Sequence, residues 1–321
     1  MTRLSVGIDI GGTTIKIGFF RQKKGTSLKK WELKTNTSHS GTFIVEEIIN
    51  SIFIQKQTLG IADEQIIGIG IGAPGFIDRK KGTITAVNIG WNNFKLQQQM
   101  EEVSGLPVFI ENDANMAVLG ENWMGAGNKN SNIIFITLGT GVGGGIIANG
   151  NLLKGENGAA AEIGHMIVET TGPKCNCGRK GCLETIVSAT GMIRQAMERI
   201  EENPTSPLAS LYHNVQTLSV EDIFELAEKG DLDSKEIIDY TADVLGLAIA
   251  NIATIINPSY VLIGGGVSKA GKPLLKPLQK YFRKYALPRI SSPCELKLAQ
   301  LGNDAGMIGA AYLVNEQVSL D

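Results

Sequence analysis

The sequence predicts a duplicated α/β fold in two domains, and three observations carry that expectation. A strand–glycine turn–strand unit occurs at Leu4–Phe20 and again at Ile133–Ala148. After each unit, helices and strands alternate. At 321 residues the chain is also too long for one small core. No helix directly follows the first strand, so a simple doubly wound nucleotide fold does not fit. The two halves are expected to leave a cleft between them.

The elements follow in order. Leu4–Ile10, Ile15–Phe20 and Trp31–Thr35 read as three strands with tight links. Phe43 to Gln57 reads as a helix, with Ile44, Ile48 and Ile52 on one face. Ile66–Gly72 is a short buried strand. Lys95–Ser104 is helical and stops before Gly105 and Pro107. Val108–Glu111 is a further strand, and Asn112 or Asp113 caps the helix running to Met124. The pattern restarts with the pair Ile133–Leu138 and Gly143–Ala148. Leu218–Lys229 and Ser234–Ile256 are helices, the second ending before Asn257-Pro258. Tyr260–Ile263 is a buried strand, and Gly306–Asn315 a closing helix. Glu201–Leu211, with Pro204 and Pro207, reads as a mobile surface loop.

A formal net charge of −2, with no long Lys/Arg block, argues against broad attraction to nucleic acid or membrane. The longest apolar stretch, Ile66 to Ile77, is glycine-rich and too short to span a bilayer. Asp9 interrupts the apolar run at the N-terminus, so a signal peptide is not expected and the chain reads as cytoplasmic. Three of the four cysteines cluster at metal spacing, which suits a reducing compartment. Cys294 stands apart and reads as a plain apolar side chain.

Six constellations are candidates for chemistry. His165, Cys175, Cys177 and Cys182 form a Cys₃His set, which makes a closed tetrahedral zinc site with no position for water. Glu162 and Glu184 flank it and are candidates for ligand contact, and His165 could bind metal with one ring nitrogen and donate with the other. The run Asp9-Ile10-Gly11-Gly12-Thr13-Thr14-Ile15-Lys16 leaves backbone N–H groups and hydroxyls to face an anion, with Asp9 placed for a hydrated Mg²⁺. The same residues would also make a plain hairpin turn. Gly139-Thr140-Gly141 occupies the equivalent place in the second half, so the pair would grip a polyphosphate from two sides. Gly264-Gly265-Gly266 after a buried strand allows a flat ring close to the backbone, or serves as a turn into a helix.

Glu111-Asn112-Asp113-Ala114-Asn115 clusters polar groups where a strand enters a helix. Capping explains one of them and leaves the others. A carboxylate such as Asp113 accepts a proton from an attacking hydroxyl, as phosphoryl transfer to an alcohol requires. Gly75, Asn88 and Trp91 suit the polar edge and apolar wall of a sugar, although loop packing with Trp91 in the core accounts for them more simply.

These motifs, in this order and over essentially the whole chain, resemble the ROK sugar kinases. The phosphate motif corresponds to Asp9–Lys16, the catalytic segment to Glu111–Asn115, the sugar segment to Glu162–Met166 and the cysteine signature to Cys175–Glu184. The resemblance implies an actin-like ATPase, hexokinase-type fold, with 1–118 plus 307–321 as one domain and 119–306 as the other. It implies Asp113 as general base for the 6-hydroxyl of glucose. Gly75, Asn88, Asn112, Asp113, Glu162, His165 and Glu184 would line the sugar site. Asp9, Gly11, Gly12, Thr13, Thr14, Lys16, Gly139, Thr140, Gly141, Gly264, Gly265 and Gly266 would hold ATP with Mg²⁺. Structural zinc would sit on His165, Cys175, Cys177 and Cys182. A homodimer is expected.

One departure is visible: Ala161 stands where the family pattern calls for glycine. Phosphorylation of another hexose (N-acetylmannosamine, fructose, mannose or N-acetylglucosamine) is the nearest alternative. A sugar-sensing repressor is less favoured, because the first strand begins at Leu4 and leaves no space for a helix-turn-helix segment.

Overall fold

The computed structural model describes residues 2–78 and 81–318. The chain forms two compact units. The first takes the described residues up to Lys129, then Asn151–Ala160 and those from Gln300 onward; the second takes Asn130–Gly150 and Ala161–Ala299. The domain boundaries expected from the sequence, 118/119 and 306/307, fall inside two unbroken helices, Asp113–Met124 and Ala305–Val318.

In the first unit, β1 (Leu4–Ile10), β2 (Thr14–Arg21) and β3 (Ser27–Lys34) form an antiparallel meander. β4 (Ile66–Ala73) pairs parallel with β1. Three short strands, β5 (Phe76–Asp78), β6 (Thr83–Ala86) and β7 (Trp91–Phe94), make a separate antiparallel sheet. β8 (Val108–Asn112) adds to β4 in parallel, giving the order β3-β2-β1-β4-β8. Val6, Ile8, Ile10, Ile15, Ile17, Ile69 and Ile71 are buried, so the central strands are covered on both faces and read as near-continuous apolar runs. α1 (Ile44–Leu59) and α2 (Leu96–Ser104) pack together, with Ile44, Ile48, Leu96 and Met100 in the same core. α3 (Asp113–Met124) and the closing helix Ala305–Val318 pack on each other. The closing helix also lies against β1 and β4 at very short range. A Cβ on Gly7 would stand 2.1 Å from the carbonyl oxygen of Met307, and one on Gly70 1.9 Å from that of Ala310. Only glycine leaves space for a backbone at that distance.

The second unit repeats the scheme. β9 (Ile133–Leu138) and β10 (Val142–Ala148) form a hairpin; β11 (Tyr260–Gly264) pairs parallel with β9, and β12 (Glu295–Leu298) parallel with β11. A hairpin followed by parallel strands therefore occurs in both units, as the duplicated pattern predicts.

Helices α4 (Glu184–Val187), α5 (Ala189–Glu202), α6 (Pro207–Val215), α7 (Val220–Glu228), α8 (Leu232–Ile256) and α9 (Lys272–Tyr285) cover it. The short α10 (Pro288–Ser291) precedes β12, and the closing helix Ala305–Val318 is α11.

Three sequence expectations need correction. The segment Glu201–Leu211 is not a loop throughout. Ser206 caps α6, its Oγ accepting from the Ala209 N–H at 3.0 Å, and Pro207 is the first helical residue. Proline at that position starts a helix, since its missing N–H has no intrahelical partner to lose. Leu208 and Ala209 are then buried. α8 starts at Leu232 rather than Ser234, because the Asp231 carboxylate accepts from the Ser234 N–H at 2.9 Å. α8, not the stretch at 66–77, is the long apolar segment. By length and composition it could cross a bilayer, but Ile237, Leu245, Ile249 and Ile252 are buried and the helix packs on α9.

Candidate active site

The first glycine turn joins β1 to β2. Asp9 lies opposite Lys16 in the hairpin register. The Gly11 N–H donates to the Thr14 carbonyl at 3.0 Å and closes the turn. Buried Thr35 holds it from β3's end: its hydroxyl donates to the Gly11 carbonyl at 2.7 Å, its N–H to the Thr13 carbonyl at 3.0 Å. Two of the turn's carbonyls are thus engaged by one residue. A cavity of about 390 Å³ opens there, lined by Asp9, Gly11, Thr13, Thr14, Lys16 and Asn303 among others. Burial, and secondarily the charge of Asp113, push the Asp9 carboxyl up to about 7, against the opposing pull of Lys16. The Lys16 ammonium is tied to the Asn303 carbonyl at 3.0 Å.

Asp113 opens α3. Its neighbour Asn112 takes the capping role, the side-chain oxygen accepting from the N–H of Ala114 at 2.9 Å and of Asn115 at 3.4 Å. The Asn112 amide also donates to the Gly75 carbonyl at 3.4 Å. Buried Glu111 fixes this corner from beneath: its Oε1 accepts from the Asn112 N–H at 3.0 Å and from the Asn115 amide at 3.1 Å. Asp113 Oδ1 accepts from the Ala114 N–H at 2.8 Å while the side chain stays open to solvent on one side. Protein packed around its other sides raises its pKa; the hydrogen bonds it accepts pull the other way and do not cancel the effect. Gly75 has φ +95, and a Cβ there would lie 2.1 Å from the Thr85 carbonyl oxygen, so no other residue gives this turn. Asn88 is exposed, as a ligand donor should be. Trp91 is a core residue: it is buried, stacks on Phe94 at 4.7 Å and donates to the Gly41 carbonyl.

In the second unit, the candidate metal ligands converge. One ligand atom from each of His165, Cys175, Cys177 and Cys182 lies within 4.8 Å of the others. Cys177 and Cys182 sulfurs are 3.6 Å apart, and His165 Nδ1 is 3.7 Å from Cys175 Sγ. Zinc–ligand bonds of about 2.0–2.3 Å in a tetrahedron place ligand atoms roughly 3.5–3.8 Å apart, so the set fits zinc. Arg179 lowers the Cys177 thiol to about 6 by hydrogen bonding, whereas burial raises those of Cys175 and Cys182. Glu184 adjoins the cluster: Oε1 accepts from Cys175 Sγ at 2.9 Å and lies 3.6 Å from His165 Nδ1. Glu162 is exposed and follows Ala161, whose φ is +65. That left-handed conformation explains why the family pattern has glycine there.

The second glycine turn is fastened like the first. The Gly139 N–H donates to the Gly141 carbonyl at 3.0 Å. The Ala189 N–H donates to the Gly139 carbonyl at 2.8 Å, and the Thr190 hydroxyl to the Thr140 carbonyl at 2.7 Å. A cavity of about 320 Å³ there is lined by Thr140, Gly141, Glu184 and Thr190 with Lys174 and Arg194. The third turn abuts the second. Gly265 has φ +82, and its Cβ would lie 2.4 Å from the Leu138 carbonyl oxygen. Gly266 faces a cavity of about 200 Å³ whose walls include Val220, Phe224 and Pro273. A further cavity of about 750 Å³ runs between α7, α8 and α9 and contains none of the candidate residues.

The structure therefore gathers Asp9, Gly11, Thr13, Thr14 and Lys16 around one cavity, and Thr140, Gly141 and Glu184 around another. Thr35 and Thr190, which hold the two phosphate-type turns, carry no signal in the sequence. Each is a lone threonine far along the chain from its partner, with no local pattern to mark it.

A family model, "ROK family", matches residues 5–317. The chain is 48% identical to the glucokinase of Halalkalibacterium halodurans over 317 residues, covering 98% of this chain and 96% of that protein. It is 37% identical to the glucokinase of Thermotoga maritima, covering 98% of each. Among solved structures it is similar to a ROK family glucokinase from Streptomyces griseus in complex with glucose and AMPPNP. That likeness has a TM-score of 0.78 and 36% identity, and covers 98% of this chain and 99% of that one. The fold is accordingly the actin-like, hexokinase-type duplicated α/β fold.

Proposed function

This chain belongs to the ROK family, and we propose that it transfers the γ-phosphoryl group of ATP to the 6-hydroxyl of glucose. The observation that carries the chemistry is the division of labour at the start of α3. Asn112 caps the helix, which leaves the Asp113 carboxylate open and its pKa raised. Raising the pKa strengthens the conjugate base, and general bases work best when tuned toward the operating pH. Asp113 takes the hydroxyl proton as the oxygen attacks phosphorus. Asn112, Asn88 and the Gly75 turn, with Glu162, His165 and Glu184, hold the sugar hydroxyls.

The glycine turns at Gly11–Thr14 and Gly139–Gly141 present backbone N–H groups to the phosphates, which are positioned rather than covalently engaged. Asp9 is the carboxylate placed for Mg²⁺, which supplies charge neutralisation on the phosphates when bound. The Gly264–Gly266 turn takes the adenine ring, with Val220 and Phe224 as apolar neighbours. Zinc on His165, Cys175, Cys177 and Cys182 holds the sugar-binding loop and does no chemistry. The working form we propose is a cytoplasmic homodimer.

The test is a panel of hexoses in a coupled ADP-release assay. Glucose should give the highest kcat/KM. A higher value for N-acetylmannosamine, N-acetylglucosamine, fructose or mannose would replace the substrate while keeping the reaction.

A further inference from the structure

Glu121 lies near the end of α3 and is fully buried, yet no step above uses it. Its carboxylate accepts three backbone N–H groups. Oε1 accepts from Gln300 at 2.9 Å and from Leu301 at 2.6 Å; Oε2 accepts from Ala126 at 2.9 Å. Its own carbonyl accepts from the N–H of Gly125 at 3.1 Å and of Gly127 at 2.9 Å. The Lys129 N–H donates to the neighbouring Asn122 carbonyl at 2.7 Å. These flank two of the four places where the chain passes between units: it leaves the first unit after Lys129 and re-enters it finally at Gln300, with the excursion Asn151–Ala160 in between.

The outgoing passage is also strained. Asn128 and Lys129 have φ of +52 and +55, a left-handed region that L side chains occupy only at a cost. A buried carboxylate is expensive unless charge-assisted donors surround it, and here three do. Because a carboxylate accepts at both oxygens, one side chain fastens both passages at once. A side-chain amide would offer one acceptor and turn a donor toward the other set of N–H groups.

We propose that Glu121 is a positioning residue for phosphoryl transfer. It clamps both passages to the end of the helix whose first residue is Asp113, so bending of the passages during turnover is registered at Asp113. The inference rests on the reading of Asp113 as the base.

The test is Glu121→Gln, compared with the wild-type enzyme by hydrogen–deuterium exchange and steady-state kinetics. Exchange should accelerate at least about tenfold in peptides covering 125–130 and 299–302 and stay unchanged in β1 and β9. The kcat should fall about tenfold, with KM for glucose and ATP each within about twofold. Faster exchange with an unchanged kcat would reduce Glu121 to a fold staple and overturn the proposal. So would acceleration spread evenly over the chain. Should Glu121→Gln fail to fold, the double variant Asn128→Gly, Lys129→Gly loosens the outgoing passage without touching the core. It should keep the wild-type Tm and lose at least about threefold in kcat; an unchanged kcat overturns the proposal. A wild-type enzyme with no hexose turnover would sink the kinase reading instead, while the exchange contrast would still report on the clamp.

Discussion

Asp9 and Asp113 are electrostatically coupled across the first unit. Burial is the larger cause, but the negative charge of Asp113 adds to it in holding the Asp9 carboxyl near 7. A buried carboxylate whose ionisation a second carboxylate disfavours gains from a nearby cation, and this shapes how the protein should respond to pH.

In metal-free buffer the Asp9 carboxyl binds its proton more tightly in the folded chain than at its ordinary value of 3.8. Between those two values the folded state holds more protons than the unfolded one, so this contribution to stability declines as pH rises from about 4 to about 7. Asp9→Asn should therefore raise Tm at pH 8 and change it little at pH 4, by differential scanning calorimetry. An equal effect at both pH values would show that Asp9 is not titrating in this window. Mg²⁺ with ATP should shrink the difference by stabilising the ionised wild-type carboxylate.

Asp113→Asn should lose about 10²–10⁴-fold in kcat, the range of general-base catalysis. Glucose binding, measured by calorimetry without ATP, should survive, because the cap made by Asn112 is untouched. In the unmodified enzyme kcat/KM should fall as pH drops through the raised Asp113 pKa, since only the ionised form accepts a proton. Near-normal turnover in the variant would take Asp113 out of the base role.

Elemental analysis should find one zinc ion per chain in the wild-type protein and none in Cys182→Ser. Glu184 lies two residues after Cys182 and touches Cys175, so loss of metal disturbs a proposed sugar ligand directly. The KM for glucose should rise at least about tenfold, and that for ATP by less than about twofold. A parallel rise in both, following loss of Tm, would make the zinc loop a general scaffold.

Ala161→Gly should stabilise the second unit. Relief of the left-handed alanine is worth about 1–2 kcal/mol, and the extra freedom of glycine in the unfolded chain returns about 0.4–1 kcal/mol. The net gain of roughly 1 kcal/mol corresponds to a Tm increase of about 2 °C for a unit of this size. A drop in Tm would mean that the alanine methyl makes a packing contact worth more than the strain.

The hairpins at Asp9–Lys16 and Leu138–Gly143 are legible in the sequence because glycines between two apolar runs interrupt the strand and favour a turn. The four zinc ligands are legible because thiolates and imidazole recur at short spacing. What stays hidden depends on distance along the chain. Thr35 is 24 residues from Gly11, and Thr190 is 50 from Thr140, so nothing local announces either bond. The choice between Asn112 and Asp113 as helix cap is decided only in three dimensions, because both residue types cap well and geometry leaves one of them over for chemistry. Pro207 in isolation looks like a breaker, yet its place just after Ser206 makes it a starter.

The close fit of α11 against Gly7 and Gly70 has a consequence for biosynthesis. Residues 305–318 leave the ribosome after the whole of the second unit, yet they cover the sheet that carries Asp9. The second unit lies wholly between residues 130 and 299 and has all its strands and helices in hand much earlier. The unit begun first is therefore closed only after the second, and a nascent chain carries one uncovered face of an isoleucine-rich sheet until residues 305–318 emerge. A chain cut short before Ala305 would still be able to assemble its zinc loop, but its Asp9 side would lack the helix that closes it.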